Sequence, residues 1–464
     1  ASELFDQLQD IVPDEDIELV KKFIASELGT DFKLIRLLDR RIGIHHAGLP
    51  DEIRYLMEWL MEQGKLNILV ATTTIAQGIN FPVSAIFMTS YWQNKKGYTE
   101  KMSTRDFWNL IGRCGRTEHA SLGIVGIIVG DKENQKEKEI LELKQYVKQN
   151  TEALVSNLVE MIDKAMQLGR ELDLSSLAND PEWSQFLQYI THMFNQCSGM
   201  EEFNTKAELF LRRTYSYSRC SREKQVIVLD AVKRYGQKLN KNRMLAKLSD
   251  STGFSFETIN NIIEKANYLG IDHTVWRGSN LFSANSSLKD LMGIMLSVPE
   301  ISSNLEKAIP KGGSAPKGNT LANITIDWVS GSDIEKIALK YFGGNSEKEL
   351  TECCKAIFGS LIHAATWGLA SLQKVSSIEI DFDSLSLDEK LRLKNLPAMI
   401  YYGVDSDEAI LMRINNVPRS IAADLGSKLK KEYQDIYKVT PFQAYKWLNE
   451  LSDSEWDSAI STKK

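Results

Sequence analysis

The chain has 464 residues, 43% of them hydrophobic and 25% charged, which is an ordinary globular composition with room for three or four domains. A net charge of −6 excludes a polycation, so any surface for nucleic acid must be a local patch. The five cysteines form no CxxC pair and no cluster with histidine, which predicts reduced thiols in a cytoplasmic protein and no metal site. No signal peptide and no apolar run of spanning length is visible, so we expect no membrane span.

Strands and helices are predicted to alternate through the first 170 residues. Two helices precede Ile42, the first capped by Asp14 behind Pro13. Beyond them the apolar pattern predicts strands at 42–46, 67–71, 85–89 and 123–129 and helices at 51–63 and 104–113. Alternation of this kind favours a parallel α/β sheet.

Two stretches of this region carry residue types that suit phosphate groups. The strand at 67–71 ends in three threonines, Thr72–Thr74, and open α/β sheets bind their ligands at the carboxyl ends of strands. The last predicted helix leads to Arg113 and Arg116, and the neighbouring glycines leave the surface around both guanidinium groups bare. Two planar, permanently charged groups three residues apart are suited to binding phosphate.

The segments ILVATTTIAQGINFP (68–82) and FWNLIGRCGR (107–116) resemble motifs V and VI of superfamily 2 helicases, specifically those of the Ski2-like group. GIHHAGLP (43–50) resembles a third segment of that family, and the order and spacing of the three agree. The resemblance covers roughly the first third of the chain. It implies that residues 1–170 form the second RecA-like domain of such a helicase.

The resemblance also implies roles for individual residues. Arg113 and Arg116 would be the catalytic arginines that stabilise charge on the transferring phosphoryl group. Of His45 and His46, we expect one to pack beneath the sheet edge and the other to face the nucleic acid. The remaining residues implied at the ATP site are Gly78, Asn80, Asn109 (where the family usually has glutamine) and Gly112. Those implied to contact nucleic acid are His46, Thr72, Thr73, Thr74 and Gln77.

The segment between residues 90 and 103 predicts a β-hairpin. Its predicted tip is Lys95–Gly97, and its arms carry the aromatic residues Tyr91, Trp92 and Tyr98. A hairpin at this place separates the strands of a duplex in Ski2-like helicases, which makes Tyr91, Trp92, Lys95 and Lys96 candidate nucleic-acid contacts. The alternative is a surface hairpin with some aromatic packing.

Residues 171–280 are predicted to form a linker and a winged-helix domain. From 206 to 247, twelve Lys and Arg residues stand against three acids. Two apolar-faced helices then flank a turn that contains Gly253, with Ser255 or Thr258 as the cap of the second helix. The winged helix of Ski2-like helicases mainly braces the protein, and we favour that role over the reading of bases.

Residues 281–395 resemble the helical ratchet domain of the same family, in which one long helix lines the path of the strand. That helix is predicted from about 348 to 374, and Trp367 is its candidate for stacking on a base; packing in the core is the alternative. Residues 313–320 approach a phosphate-binding loop, but Asn319 replaces the lysine that such a loop needs.

Residues 396–464 resemble a helix-hairpin-helix-like domain, with Arg419 as a candidate nucleic-acid contact. The predicted fold class is therefore an α/β RecA-like domain followed by mostly α-helical domains. No GxxxxGK[ST] motif and no acidic box behind a buried strand occurs. We therefore expect that the first RecA-like domain, with its Mg²⁺ ligands, is not on this chain and that the chain alone does not hydrolyse ATP.

The sequence favours an ATP-dependent helicase or translocase that moves 3′→5′ with ATP and Mg²⁺ as cofactors. Its expected partners are an N-terminal RecA-like domain and single-stranded or forked DNA. DNA is favoured over RNA because the order of the helical domains resembles the DNA-acting branch and no arch insertion is visible. Two alternatives stay open. One is a sensing subunit that controls a partner nuclease in antiviral defence, as in Hachiman-type systems, and the other is a DNA-binding module without motor activity.

Overall fold

The computed structural model describes residues 13–72, 84–90, 92–95, 98–102, 107, 110, 124–128, 140–141, 144, 172–177, 181–214, 217–218, 220–271, 274–277, 281–312, 315–376, 385–433 and 435–461. The chain divides into two units, one of residues 1–25 and 30–154 and the other of residues 26–29 and 155–464. The first unit is α/β, and all regular structure described in the second is helical.

The first unit begins with helices and then alternates strands with helices. Its helices are α1 (Glu15–Leu28, whose last three residues count with the second unit), α2 (Lys33–Leu38) and α3 (Asp51–Glu62). Its strands are β1 (Ile42–His45), β2 (Ile68–Ala71), β3 (Ala85–Met88), β4 (Trp92–Lys95), β5 (Tyr98–Lys101) and β6 (Ile124–Ile127). Phe107 and Leu110 are helical as well. Every predicted strand is confirmed. The strands predicted at 42–46, 67–71 and 85–89 are each one residue shorter, and residues 124–127 of the fourth form β6.

The strands form two parallel pairs and one hairpin. β1 pairs with β2 so that His45 lies opposite Ala71, and β3 pairs with β6. Parallel neighbours need a crossover connection, which α3 supplies between β1 and β2. β4 and β5 run antiparallel, with Lys95 opposite Tyr98 at the end of the ladder. The predicted parallel α/β arrangement and the predicted hairpin are both confirmed.

Helix α3 packs on β1 through an apolar face that repeats at helical spacing. Ile53, Met57 and Leu60 on this face are each 0% exposed. Gly43 in β1 allows a close approach, since a β-carbon there would come 2.7 Å from Leu66 Cδ1 and 2.9 Å from Leu69 Cδ1. Gly43, the first of the two glycines in GIHHAGLP, therefore has a packing role in the strand itself.

The second unit consists of helices joined by short connections. They are a 3₁₀ turn (Leu174–Leu177), α4 (Pro181–Asn195), α5 (Met200–Arg213), α6 (Arg222–Lys241), α7 (Arg243–Thr252), α8 (Phe256–Tyr268), α9 (Thr274–Arg277), α10 (Leu288–Met295), α11 (Pro299–Lys307), α12 (Lys317–Val329), α13 (Ile334–Tyr341), α14 (Glu347–Ala356), α15 (Ile362–Ser376), α16 (Leu387–Tyr402), α17 (Asp407–Ile414), α18 (Arg419–Glu432), a 3₁₀ turn (Ile436–Lys438), α19 (Pro441–Glu450) and α20 (Asp453–Ser461).

One helical run extends from Glu347 to Ser376, because a π-helical turn at Ile357–Leu361 connects α14 to α15 without a break. The predicted long helix is thereby confirmed. The helix-turn-helix prediction also holds locally. Helix α7 ends at Gly253 with a left-handed φ of +76°, and the Ser255 hydroxyl caps α8 by accepting the Thr258 N–H at 3.1 Å.

The finer division of the second unit stays a prediction. No strand lies among the residues described there, so the described part contains no wing for the predicted winged helix. The ratchet and helix-hairpin-helix-like assignments and all domain boundaries likewise remain predictions. No described helix combines the length and apolar character needed to cross a bilayer.

Candidate nucleotide and nucleic-acid interface

The carboxyl ends of β1 and β2 bring two of the motif segments together. The Thr72 N–H donates to the His45 carbonyl at 3.2 Å, immediately after the last paired residues of the two strands. Thr72 is exposed at this point. GIHHAGLP and ATTT, which are more than twenty residues apart in sequence, thus form one edge of the sheet.

The two adjacent histidines of this edge have different environments. His45 is 2% exposed, and its Nε2 lies 2.7 Å from Glu58 Oε1 on α3. A carboxylate only accepts hydrogen bonds, so Nε2 carries the proton in this contact. His46 is half-buried, and its Nδ1 accepts the Gly48 N–H at 3.0 Å. His45 is the histidine that packs, as expected of one of the two, and the expectation that His46 faces the nucleic acid stays a prediction.

Sequence reasoning did not predict the role of Glu58. Its carboxylate fixes the orientation of His45, whose carbonyl in turn holds Thr72. Glu58 lies on a helix that the sequence did predict, one turn before Glu62. The available signal was an acidic residue flanked by the buried face residues Met57 and Leu60.

The hairpin is described through its backbone. Trp92 lies opposite Lys101, and Lys95 lies opposite Tyr98 next to the predicted tip. This register places the candidate contacts Trp92 and Lys95 at the two ends of β4. Tyr91 and Lys96 lie outside the described residues.

The nucleotide-binding residues that the resemblance implies also lie outside the described part of the chain. They are Gly78, Asn80, Asn109, Gly112, Arg113 and Arg116. The implied nucleic-acid contacts Thr73, Thr74 and Gln77 also lie outside the described residues. Their assignment stays a prediction. Among the residues described, no group of three His, Cys, Asp or Glu side chains is arranged to hold a metal ion, so no magnesium step is assigned to them.

Trp367 on α15 is neither fully core nor free. Its ring is 39% exposed and lies 5.0 Å from that of Phe254, and its Nε1 donates to the Thr252 carbonyl at 2.7 Å. Two later side chains of the same helix also bond to neighbouring backbone, since Lys374 donates to the Ser251 carbonyl and Gln373 to the Leu393 carbonyl. The indole is held in place with part of its surface open, a geometry that suits either stacking or packing.

The structure corrects the expectation for Arg419. This residue is 6% exposed, and its guanidinium donates to the Trp328 carbonyl at 3.2 Å and to the Ser332 carbonyl at 2.7 Å. It also lies 4.2 Å from the Trp328 ring centroid. Burial lowers the pKa of Arg419 to about 10, which leaves it protonated at neutral pH. A guanidinium that is buried and bonded in this way does not contact a phosphate at the surface.

A buried ion pair next to Arg419 was also missed. Glu27 and Arg413 lie 3.1 Å apart with side chains 2% and 5% exposed, and the Arg419 N–H donates to Glu27 at 2.5 Å. These partners are almost four hundred residues apart in sequence. No local pattern therefore signals the pair.

One protein family matches part of the chain. Residues 6–118, which include the segments 43–50, 68–82 and 107–116, match the family of the helicase conserved C-terminal domain. Most of the matched range lies in the first unit, and the described regular structure of the second unit is helical.

Three individual proteins show similarity to parts of this chain. The chain is similar to the ATP-dependent DNA helicase Hel308 of Pyrococcus horikoshii, with 24% identity over 205 residues, 44% of this chain and 28% of that protein. It is similar to the Hachiman protein HamB of Bacillus cereus, with 27% identity over 190 residues, 40% of this chain and 16% of that protein. It is also similar to the DExH-box ATP-dependent RNA helicase DExH12 of Arabidopsis thaliana, with 30% identity over 155 residues, 33% of this chain and 7% of that protein.

The chain is related to the Ski2-like superfamily 2 helicases, as its motifs predicted. Each match covers less than a third of the relative.

Proposed function

We propose that this chain supplies the arginine fingers and part of the strand-binding surface of an ATP-dependent helicase or translocase. The observation that supports this most directly is the sheet edge where Thr72 bonds to His45. Ligands of open α/β sheets bind at the carboxyl ends of strands, and two helicase-like motif segments meet there. The match of residues 6–118 to a helicase domain supports the same conclusion.

In this proposal ATP binds between the first unit and a second α/β domain that carries a phosphate-binding loop and the Mg²⁺ ligands. Arg113 and Arg116 stabilise negative charge that develops on the transferring phosphoryl group, and such a residue is typically worth ~10³–10⁵ in rate. The other residues on this side of the nucleotide are Gly78, Asn80, Asn109 and Gly112.

Nucleic acid lies along the β1–β2 edge in the same proposal. Thr72 uses its backbone N–H for His45, so its contact to phosphate comes from the hydroxyl. The hairpin separates the strands, and Trp367 stacks on a base of the strand that passes α15. The other proposed contacts are His46, Thr73, Thr74, Gln77, Tyr91, Trp92, Lys95 and Lys96. Movement is 3′→5′ in this proposal, as the family resemblance implies. DNA is the preferred track, and the DNA-helicase name of one relative supports that choice.

The test joins this chain to a first RecA-like domain and measures ATP turnover with and without single-stranded DNA and RNA. We expect one of the two polymers to stimulate turnover. Arg116→Ala should lower kcat by about a thousandfold or more and leave strand affinity within about twofold. Arg116→Lys keeps the charge without the planar fork and should recover little. The exposed Arg392→Ala is the matched control, with turnover unchanged.

Three results would contradict the assignment. Loss of strand binding without loss of turnover would make Arg116 a nucleic-acid contact. Arginine-dependent turnover by this chain alone would show that it does not depend on a second domain for its ATP site. Absence of polymer-stimulated turnover from the joined protein would favour the DNA-binding module without motor activity.

A second candidate function is favoured by the similarity to the Hachiman protein HamB. Here the helicase frame senses abnormal nucleic acid and controls a partner nuclease in antiviral defence. A nuclease that co-purifies with the chain and is released when DNA is added would support it. A complex that survives saturating DNA would count against release as the signal.

A further inference from the structure

The second unit contains a strongly basic segment that the proposed motor does not use. Residues 206–247 hold twelve Lys and Arg residues and three acids, whereas the whole chain has a net charge of −6. The segment forms the end of α5, all of α6 and the start of α7. Because opposite charges elsewhere more than balance it, this is a local patch of the kind that attracts phosphates.

Part of this charge is neutralised within the protein. Four cations of the segment pair with carboxylates: Lys206 with Glu202, Arg212 with Glu208, Arg234 with Asp230, and Lys238 with Glu257. Five others have no carboxylate within 4 Å among the described side chains. These five, which we name the α6 cation set, are Arg213, Arg222, Lys233, Lys241 and Lys247.

Helix α6 presents three members of the set to solvent. Arg222 and Lys241 are exposed and Lys233 is half-exposed, on the side opposite the buried row of Val228, Val232, Tyr235 and Leu239. A 20-residue helix is about 30 Å long, so the three cations span most of that length. Val226, Gln237 and the acids Glu223 and Asp230 also lie on this side of the helix, with Asp230 paired to Arg234, and no aromatic side chain occurs there.

We propose that the α6 cation set binds the phosphate backbone of duplex nucleic acid. The length of the cationic face is close to one duplex turn of about 34 Å. Single-strand binding usually relies on aromatic side chains that stack on bases, and this face offers none. Contacts to phosphate position a protein without reading sequence, so the set holds the duplex regardless of its sequence. The choice of nucleic acid as the ligand rests on the proposed function.

The test measures affinity of the full chain by fluorescence anisotropy. The probes are a 20-base-pair DNA duplex, a 20-base-pair RNA duplex and a 20-nucleotide single strand of each, across a series of KCl concentrations. The variant is Arg222→Glu/Lys233→Glu/Lys241→Glu. The control is Lys289→Glu/Lys307→Glu/Lys311→Glu, which makes the same change in net charge at exposed positions outside the segment. Circular dichroism checks that both remain folded.

We expect the variant to bind duplex at least tenfold more weakly and single strands within about threefold of the unmodified chain. Its salt slope on duplex should fall by about 2.7, because each lost phosphate contact removes about 0.9. The DNA and RNA arms identify which backbone geometry the face prefers.

Three outcomes overturn the inference or its parts. A variant that behaves like the control shows that the set is not a duplex site and leaves an acidic protein surface as its partner. Equal losses on duplex and single strands show a general strand surface and refute the duplex assignment. If the unmodified chain binds no probe, the proposed function fails together with this inference. If the unmodified chain and the triple variant bind duplex equally well, only this inference is refuted.

Discussion

Replacement of Glu27 by glutamine removes one negative charge from the buried interior of the second unit. The Glu27 side chain is 2% exposed and pairs with Arg413 at 3.1 Å. It also accepts the backbone N–H of Arg419 at 2.5 Å. Glutamine keeps the size and one acceptor oxygen. It leaves the buried Arg413 guanidinium without its paired carboxylate and removes a nearby negative charge from the buried Arg419.

The expected loss of stability follows from that burial. Removal of one partner from a buried ion pair typically costs ~3–5 kcal/mol because the other charge stays buried. The retained acceptor oxygen places Glu27→Gln near the lower end, at about 3 kcal/mol. The pair Glu208–Arg212 provides the comparison, since its side chains are 36% and 69% exposed. An exposed pair of this spacing is worth only about 0.3–0.5 kcal/mol.

Urea unfolding of the full chain, followed by tryptophan fluorescence, measures the difference. The free energy of unfolding of a unit of this size should fall by about 3 kcal/mol per molar urea. Glu27→Gln should therefore lower the urea midpoint of the second unit by about 1 M. Glu208→Gln should shift the midpoint by about 0.2 M or less. The double variant Glu27→Gln/Arg413→Gln should lose less than the sum of the single losses. Equal small shifts for Glu27→Gln and Glu208→Gln would refute the argument that burial makes the pair important.

Three further predictions follow from packing and charge. Arg419→Lys should destabilise the chain by about 2 kcal/mol, because the lysine cannot bond both the Trp328 and Ser332 carbonyls while lying on the indole; strand affinity by anisotropy should stay within twofold, and a larger loss would restore Arg419 as a contact. Gly43→Ala should lower the thermal midpoint of the first unit by the equivalent of about 1–3 kcal/mol, whereas Gly199→Ala, with open space around its β-carbon, should be nearly neutral; calorimetry compares them. The Glu202 carboxyl has a pKa of about 2, lowered chiefly by Lys206 and then by Ser198; because this is below the unfolded value of about 4.3, its contribution to stability is present at neutral pH and is lost as the pH falls through 2, and an NMR titration should show the pKa rise in Lys206→Gln.

Local patterns predicted the first unit well. The strands and α3 follow from the periodicity of apolar residues, and their order fixed a parallel arrangement that the pairing of β1 with β2 confirms. The hairpin followed from a short segment with a Lys-Lys-Gly tip between two arms, and β4 pairs with β5 there. In the second unit, Gly253 and Ser255 marked the end of α7 and the start of α8 because both act on backbone groups within one turn.

Contacts between distant residues were beyond this kind of reasoning. Arg419 follows a proline at the start of a helix, a position that resembles a phosphate-binding turn when it is considered alone. Its partners Trp328 and Ser332 lie 91 and 87 residues away, and Glu27 is farther still. Charge alone therefore could not distinguish a surface arginine from a buried one.

The same distinction explains why the two basic features of the second unit have different roles. Arg413 and Arg419 lie among buried carbonyls and one carboxylate, and their guanidinium groups bond to these groups within the protein. Arg222 and Lys241 lie on the outer face of α6, with no carboxylate within 4 Å among the described residues. A cation in the first setting gains nothing from an incoming phosphate, because the phosphate would have to displace bonds that are already made. A cation in the second setting gains the release of counterions when a phosphate arrives. Burial and pairing, rather than the number of positive charges, therefore decide which arginines and lysines of this chain are available to nucleic acid.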